Sequence, residues 1–146
     1  MTITIRDVTP ADKTAWEGLW EQYLAFYETE RGQDIKDETW RRILDPEVPM
    51  FCYLAVNSEG MPVGLTNFLF HLSFWEKEEV CYLNDLFVLP ETRGQGAAAQ
   101  LIAAVHTAAQ ARSTAKVYWL TAENNYAART LYDKVARKTP FVHYMM

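Results

Sequence analysis

Residues 88–102, VLPETRGQGAAAQLI, constrain the fold more than any other stretch of the chain. An apolar, strand-like run, YLNDLFV, gives way at Pro90 to a short polar turn, and Gly94 and Gly96 then open an alanine-rich segment. Ala98, Leu101, Ile102, Val105 and Ala109 recur at helical spacing, so the pattern predicts strand, glycine turn, helix. A helix start leaves backbone N–H groups without partners and carries a partial positive charge. Small residues keep that end open to an anion, and Arg93 adds a cation. A phosphate or pyrophosphate suits such a turn; a glycine turn that only packs an alanine-rich helix accounts for the spacing equally well. A P-loop would need Lys-Ser/Thr after the second glycine, where Ala97-Ala98 stand. A dinucleotide fingerprint would come early in a parallel sheet, whereas this turn comes late.

The rest of the chain fills in an α/β order. TITIRDV alternates as a first strand. Residues 9–28 predict a helix capped by Thr9 with Pro10 in its first position, and Trp16, Leu19, Trp20, Tyr23, Leu24 and Tyr27 make its apolar face. After the polar ETERGQDIK, Asp37 is expected to cap a short helix carrying Trp40, Ile43 and Leu44. MFCYLAV and MPVGLTNFLFHLSFW read as a hairpin around NSEG, and VCYLNDLFV as the next strand. AKVYWLTA, NNYAARTLYDKVA and FVHYMM then read as strand, helix and a last short strand. The expectation is one mixed α/β domain over residues 1–146, with a mostly antiparallel twisted sheet and helices on both faces.

The balance of 14 Lys+Arg against 19 Asp+Glu gives a net charge of −5, which argues against nucleic acid as a partner. No apolar run approaches a membrane span and no charged-then-apolar leader opens the chain, so no membrane partner and a cytoplasmic location are expected. Cys52 and Cys81 sit in apolar strand-like runs and read as buried free thiols of a reducing compartment.

Arg93-x-x-Gly96-x-Ala98 after a strand ending LFV resembles the acyl-CoA signature of the GNAT superfamily of N-acetyltransferases. Asn125, Ala128, Leu131 and Tyr132 are similar to that family's Asn-x-x-Ala-x-x-Leu-Tyr segment. YLNDLFV, YWLTAENN and FVHY resemble the histone/polyamine-type and diamine acetyltransferase branch, with two departures: Asn84 stands where the diamine enzymes usually carry Glu, and Ala136 where many members carry Gly. The resemblance implies a GNAT-like sheet with a parallel splayed pair, acetyl-CoA as cosubstrate, no metal, and pairing as a homodimer. It implies that backbone groups of Leu86, Phe87 and Val88 pair with the pantetheine arm as an added strand would. It also implies that the Arg93 turn, with backbone N–H groups of Gly94, Gln95, Gly96, Ala97, Ala98 and Ala99, holds the pyrophosphate, and that Asn125 and Tyr132 face the cofactor arm and its sulfur. The acceptor it implies is a primary amine, either a polyamine-like small molecule or a lysine side chain; an acyl-CoA-binding module without turnover is the other outcome.

Acetyl transfer to an amine needs a base for the ammonium, N–H donors for the tetrahedral oxyanion, and an acid for the leaving thiolate. Tyr132, a neutral phenol at pH 7, is the expected acid, in competition with an ordinary helix-packing tyrosine. Asp85 is the expected base or ammonium ligand, on a strand face with Cys81, Leu83 and Phe87; a structural ion pair is its alternative. Tyr27, Glu28 and Asn84 are the expected acceptor-side residues, with Glu30 and His71 as weaker candidates. With no cysteine–histidine pair in view, direct attack in a ternary complex is preferred over an acetyl-cysteine route.

Overall fold

The computed structural model describes residues 2–114 and 116–146. One sheet runs in the order β1 (Thr4–Asp7), β2 (Met50–Val56), β3 (Pro62–His71), β4 (Val80–Val88) and β5 (Val117–Tyr118). The first four strands pair antiparallel, while β5 lies parallel to β4 and joins it at Cys81↔Val117 and Tyr82↔Tyr118 alone. Beyond Tyr82 no ladder connects the two, so the C-terminal half of β4 has a free edge on that side. This is the expected mixed sheet with its parallel, splayed pair.

Helices cover both faces. On one, α1 (Lys13–Phe26) and α2 (Gln33–Leu44) set Trp16, Leu19, Trp20 and Trp40 against Leu54, Leu65 and Phe87. Trp16 is fully buried, stacked on Trp20 at 5.1 Å between ring centroids and tilted against Trp40 at 5.2 Å. Each such side chain brings about 1.5–3 kcal/mol of burial. On the other face, α3 (Ala97–Ala111) lays Ile102, Val105 and Ala109 over Phe68, Phe70, Cys81 and Leu83. The last helix, α4 (Tyr126–Val135), follows β5.

One irregularity sets the site. Phe70 pairs with Cys81 and Phe68 with Leu83, but the next pair is Asn67 with Asp85, so Asn84 has no partner on β3. It is the extra residue of a β-bulge, and a one-residue slip exchanges the two faces of everything after it. Asp85 therefore does not share a face with Cys81 and Leu83, as simple alternation predicts; it joins Phe87 on the α1 face, and Leu86 turns toward α3.

Three further expectations change. The start of the first helix is a 3-10 turn, Pro10–Asp12. The second helix begins at Gln33, not beside Asp37, because Lys13–Asp37 (2.8 Å) and Lys36–Glu21 (2.5 Å) ion pairs to α1 hold its polar first turns. FVHYMM forms no strand: residues 137–146 are all exposed, without a ladder partner among the described residues. β-propensity cannot supply the missing backbone hydrogen bonds.

Candidate active site

The free edge of β4 opens into a cleft of about 540 Å³ between α1, α4 and the start of α3. Leu86, Phe87 and Val88 line it from the strand, and Arg93, Gly94, Gly96, Ala97, Ala98 and Ala99 from the turn and the first turn of α3. Asn125, at the N-cap of α4, and Tyr132 line it on one side, and Tyr27, at the C-cap of α1, on another. Of the residues expected to hold the cofactor, Gln95 alone is not in the lining; its Oε1 is buried without a hydrogen-bond partner among the described residues.

Gly94 and Gly96 have φ of 84° and 82°, the left-handed region that favours glycine. A Cβ at Gly94 would meet nothing within 4 Å, and one at Gly96 only Gln100 Nε2 at 3.8 Å. Backbone conformation, rather than crowding, is thus what calls for glycine here. Gly96 caps α3, and the first bond within the helix runs from Gln100 N to Gly96 O (3.0 Å). The N–H groups of Ala97, Ala98 and Ala99 precede that bond and face a cleft walled by small side chains. Such a cradle fits a diphosphate, and the open strand edge beside it fits an extended amide-bearing arm.

Asn125 is the N-cap of α4, its Oδ1 accepting from Ala128 N at 3.4 Å, and two turns later Tyr132 follows on the same side. Tyr132 is half-buried, edge-on to Trp119 at 5.4 Å. Burial, with Tyr27 nearby, pushes its phenol up to about 12, so it is a neutral hydrogen donor throughout the physiological range.

Asp85 is partly exposed and is not among the residues that line the cleft. Asn67 Nδ2 donates to Asp85 Oδ2 at 3.0 Å, and Trp16 Nε1 donates to Asn67 Oδ1 at 3.2 Å. Burial raises the Asp85 carboxyl above its ordinary value, opposed by bonding from Asn67, Asn84 and Tyr23. Tyr23 lines the cleft, its ring edge-on to Tyr27 at 5.2 Å and to Phe87 at 6.3 Å between centroids. Sequence reasoning missed Tyr23 and Asn67 as site residues. Tyr23 looked like one more apolar-face residue of α1, and the only signal for Asn67 was a polar pair, Thr66-Asn67, inside an apolar strand.

Glu28 has φ of 57° because it closes α1: its N–H reaches Ala25 O and that of Thr29 reaches Leu24 O. It lines a second cavity of about 460 Å³ that shares Phe26, Tyr27 and Asn125 with the cleft. Asn84 lines neither cavity. His71 is bonded to Tyr118 Oη (2.8 Å) and Leu72 O (2.7 Å) and lines neither cavity. Burial raises both thiols, Cys81 to about 11, which leaves them poor nucleophiles.

Residues 13–136 match the model of the family described as Acetyltransferase (GNAT) family. The chain is 38% identical over 143 residues to the D-amino-acid N-acetyltransferase HPA3 of Saccharomyces cerevisiae, covering 97% of this chain and 89% of that one. It is 27% identical over 146 residues to the uncharacterized N-acetyltransferase YhfO of Bacillus subtilis, covering 99% and 97% of the two chains. Its fold matches AAC(6')-Iy, solved in complex with a bisubstrate analog, with a TM-score of 0.86 at 21% identity over 100% of this chain and 98% of that one.

Proposed function

This chain belongs to the acetyltransferase (GNAT) family, and from that premise we propose that it moves the acetyl group of acetyl-CoA to the primary amine of a small molecule by direct attack in a ternary complex. One observation carries the reading: the glycine cradle, the free edge of β4 and Tyr132 meet in a single cleft. The amine nitrogen attacks the thioester carbonyl, the new C–N bond forms as the C–S bond breaks, and Tyr132 hands its proton to the departing thiolate. Backbone N–H groups near Leu86–Val88 are the donors for the oxyanion, Asp85 is the final acceptor of the ammonium proton, and Tyr27 and Glu28 flank the approach of the acceptor. No step requires a metal.

Among amines we favour the α-amino group of an amino acid. The yeast relative of that name is 38% identical across nearly the whole chain. A polyamine and a lysine side chain remain arms of the test. Free-thiol release from acetyl-CoA is measured with D- and L-amino acids, spermidine, putrescine, a basic peptide and an aminoglycoside. Turnover with an amino-acid amine is expected, and Tyr132→Phe should reduce it on the order of 10²-fold while acetyl-CoA still binds. Thermal stabilisation by acetyl-CoA without thiol release under any amine would instead identify a binding module without turnover.

Two copies pair in our reading. Residues 141–146 alternate Phe141, His143, Met145 with Val142, Tyr144, Met146, so both faces are largely apolar and both are exposed. A strand of that kind needs cover on both sides. The β5 edge, with exposed Tyr118 and Leu120, offers a ladder to a second copy. We place the protein in the cytoplasm, where its free thiols fit a reducing setting.

A further inference from the structure

We infer that Glu28 selects the acceptor: the cavity beside the cleft takes the far end of the substrate, and that end carries a positive charge, as the side chain of a basic amino acid does. The inference rests on the acetyltransferase reading above and adds the substrate class. Phe26, Tyr27 and Asn125 line both the cleft and the cavity of about 460 Å³, so one molecule can occupy the two together. Glu28, Ala122 and Asn124 complete the lining of the cavity, and Glu28 is the single charged side chain in it. Arg31, the nearest cation along the chain, gives its guanidinium to Thr29 Oγ1 and Glu30 O, each at 2.7 Å. Among the described residues no ion pair engages the Glu28 carboxylate. Beside it the rings of Phe26 and Tyr27, both exposed, stand edge-on at 5.2 Å between centroids. A free carboxylate next to open aromatic rings suits a cation and repels an anion.

The backbone gives a second, independent reason. Glu28 closes α1 with φ of 57°, the left-handed position that helices usually give to glycine. Its N–H bonds Ala25 O at 2.9 Å and the N–H of Thr29 bonds Leu24 O at 3.0 Å, so the helix end is held in this shape. Any side chain with a Cβ costs stability there, and glycine would end the helix better. A residue held in a strained conformation at the wall of a cavity points to a use for its side chain. The carboxylate also works by exclusion, since an acceptor with an acidic far end would meet like charge. Glu28 touches the substrate away from the reacting atoms, so it governs which amine binds and takes no part in the transfer.

The test compares arginine with citrulline, in D and L forms, because each has one primary amine and the two differ chiefly in charge at the far end. Thiol release from acetyl-CoA is followed for wild type, Glu28→Gln, Glu28→Lys and Glu28→Gly. Wild type should favour arginine on the order of tenfold in kcat/KM, the size of a charged hydrogen bond partly open to water. Glu28→Gln should bring that ratio to about one, through KM rather than kcat. Glu28→Lys should turn the preference toward citrulline. Glu28→Gly should raise the urea midpoint, because the left-handed position no longer carries a Cβ, and still lose the preference; a helix end with a structural role alone would show the first change without the second. Arginine no better than citrulline, in an enzyme that acetylates any amine of the panel, would overturn the inference and leave the transferase reading intact. So would a preference that survives Glu28→Gln and Glu28→Gly. No thiol release by wild type with any amine would overturn both.

Discussion

Residue by residue, the chemistry of the turn comes down to backbone angle. Gly96 at φ 82° has room for a methyl group, so Gly96→Ala tests conformation without a clash. An alanine held in the left-handed region costs about 1–2 kcal/mol. Urea denaturation should show a loss of that size, together with weaker acetyl-CoA binding as the first N–H groups of α3 shift. Unchanged stability would mean that the turn does not keep its positive φ in solution. The places of Gly94, Gly96, Asn125 and Tyr132 along the cleft were legible in the sequence because each is set by local spacing and residue type. Tyr23 was legible only as part of a helix face, since its place in the cleft depends on packing against Phe87, far along the chain.

Among the elements, the first connection is pinned by charge. Arg6 on β1 bonds Asp12 at the entrance to α1 through contacts of 2.8 and 3.0 Å, and Thr9 N adds a third at 2.7 Å. The Arg6 bonding, opposed by burial and helped by Thr9, holds the Asp12 carboxyl down at about 2. A folded value below the unfolded one stabilises the fold above the unfolded pKa, and that contribution is lost as pH falls from about 4 through about 2. After solvent screening of the partly exposed arginine it is worth roughly 1 kcal/mol. Urea midpoints for wild type and Asp12→Asn should therefore separate at pH 6 and converge as pH falls toward 2; a gap independent of pH would refute the assignment. The bulge at Asn84 is the element-scale feature that sequence reasoning could not reach. Nothing in VCYLNDLFV marks which residue loses its partner, because register is a property of two strands.

Across the whole molecule, the unresolved demand is the exposed segment 137–146. Phe141, Val142 and Tyr144 are 77%, 73% and 88% exposed, a cost in water that pairing with a second copy would relieve. Sedimentation velocity should show the full chain as a dimer, and removal of residues 141–146 should yield a monomer that still binds acetyl-CoA. A monomeric full chain at tens of micromolar would refute the pairing.

The sequence by itself determined the alternation of strands and helices, the glycine cradle, the helix that carries Tyr132, and through them the family. These depend on local periodicity, turn stereochemistry and motif spacing, all of which are written in contiguous residues. Only the tertiary structure decided that Asp85 turns toward α1, that Asn67, itself bonded by Trp16, donates to it, and that Tyr23 lines the cleft. Each of those depends on which residue of one strand meets which residue of another, and a single unpaired asparagine is enough to reverse the answer.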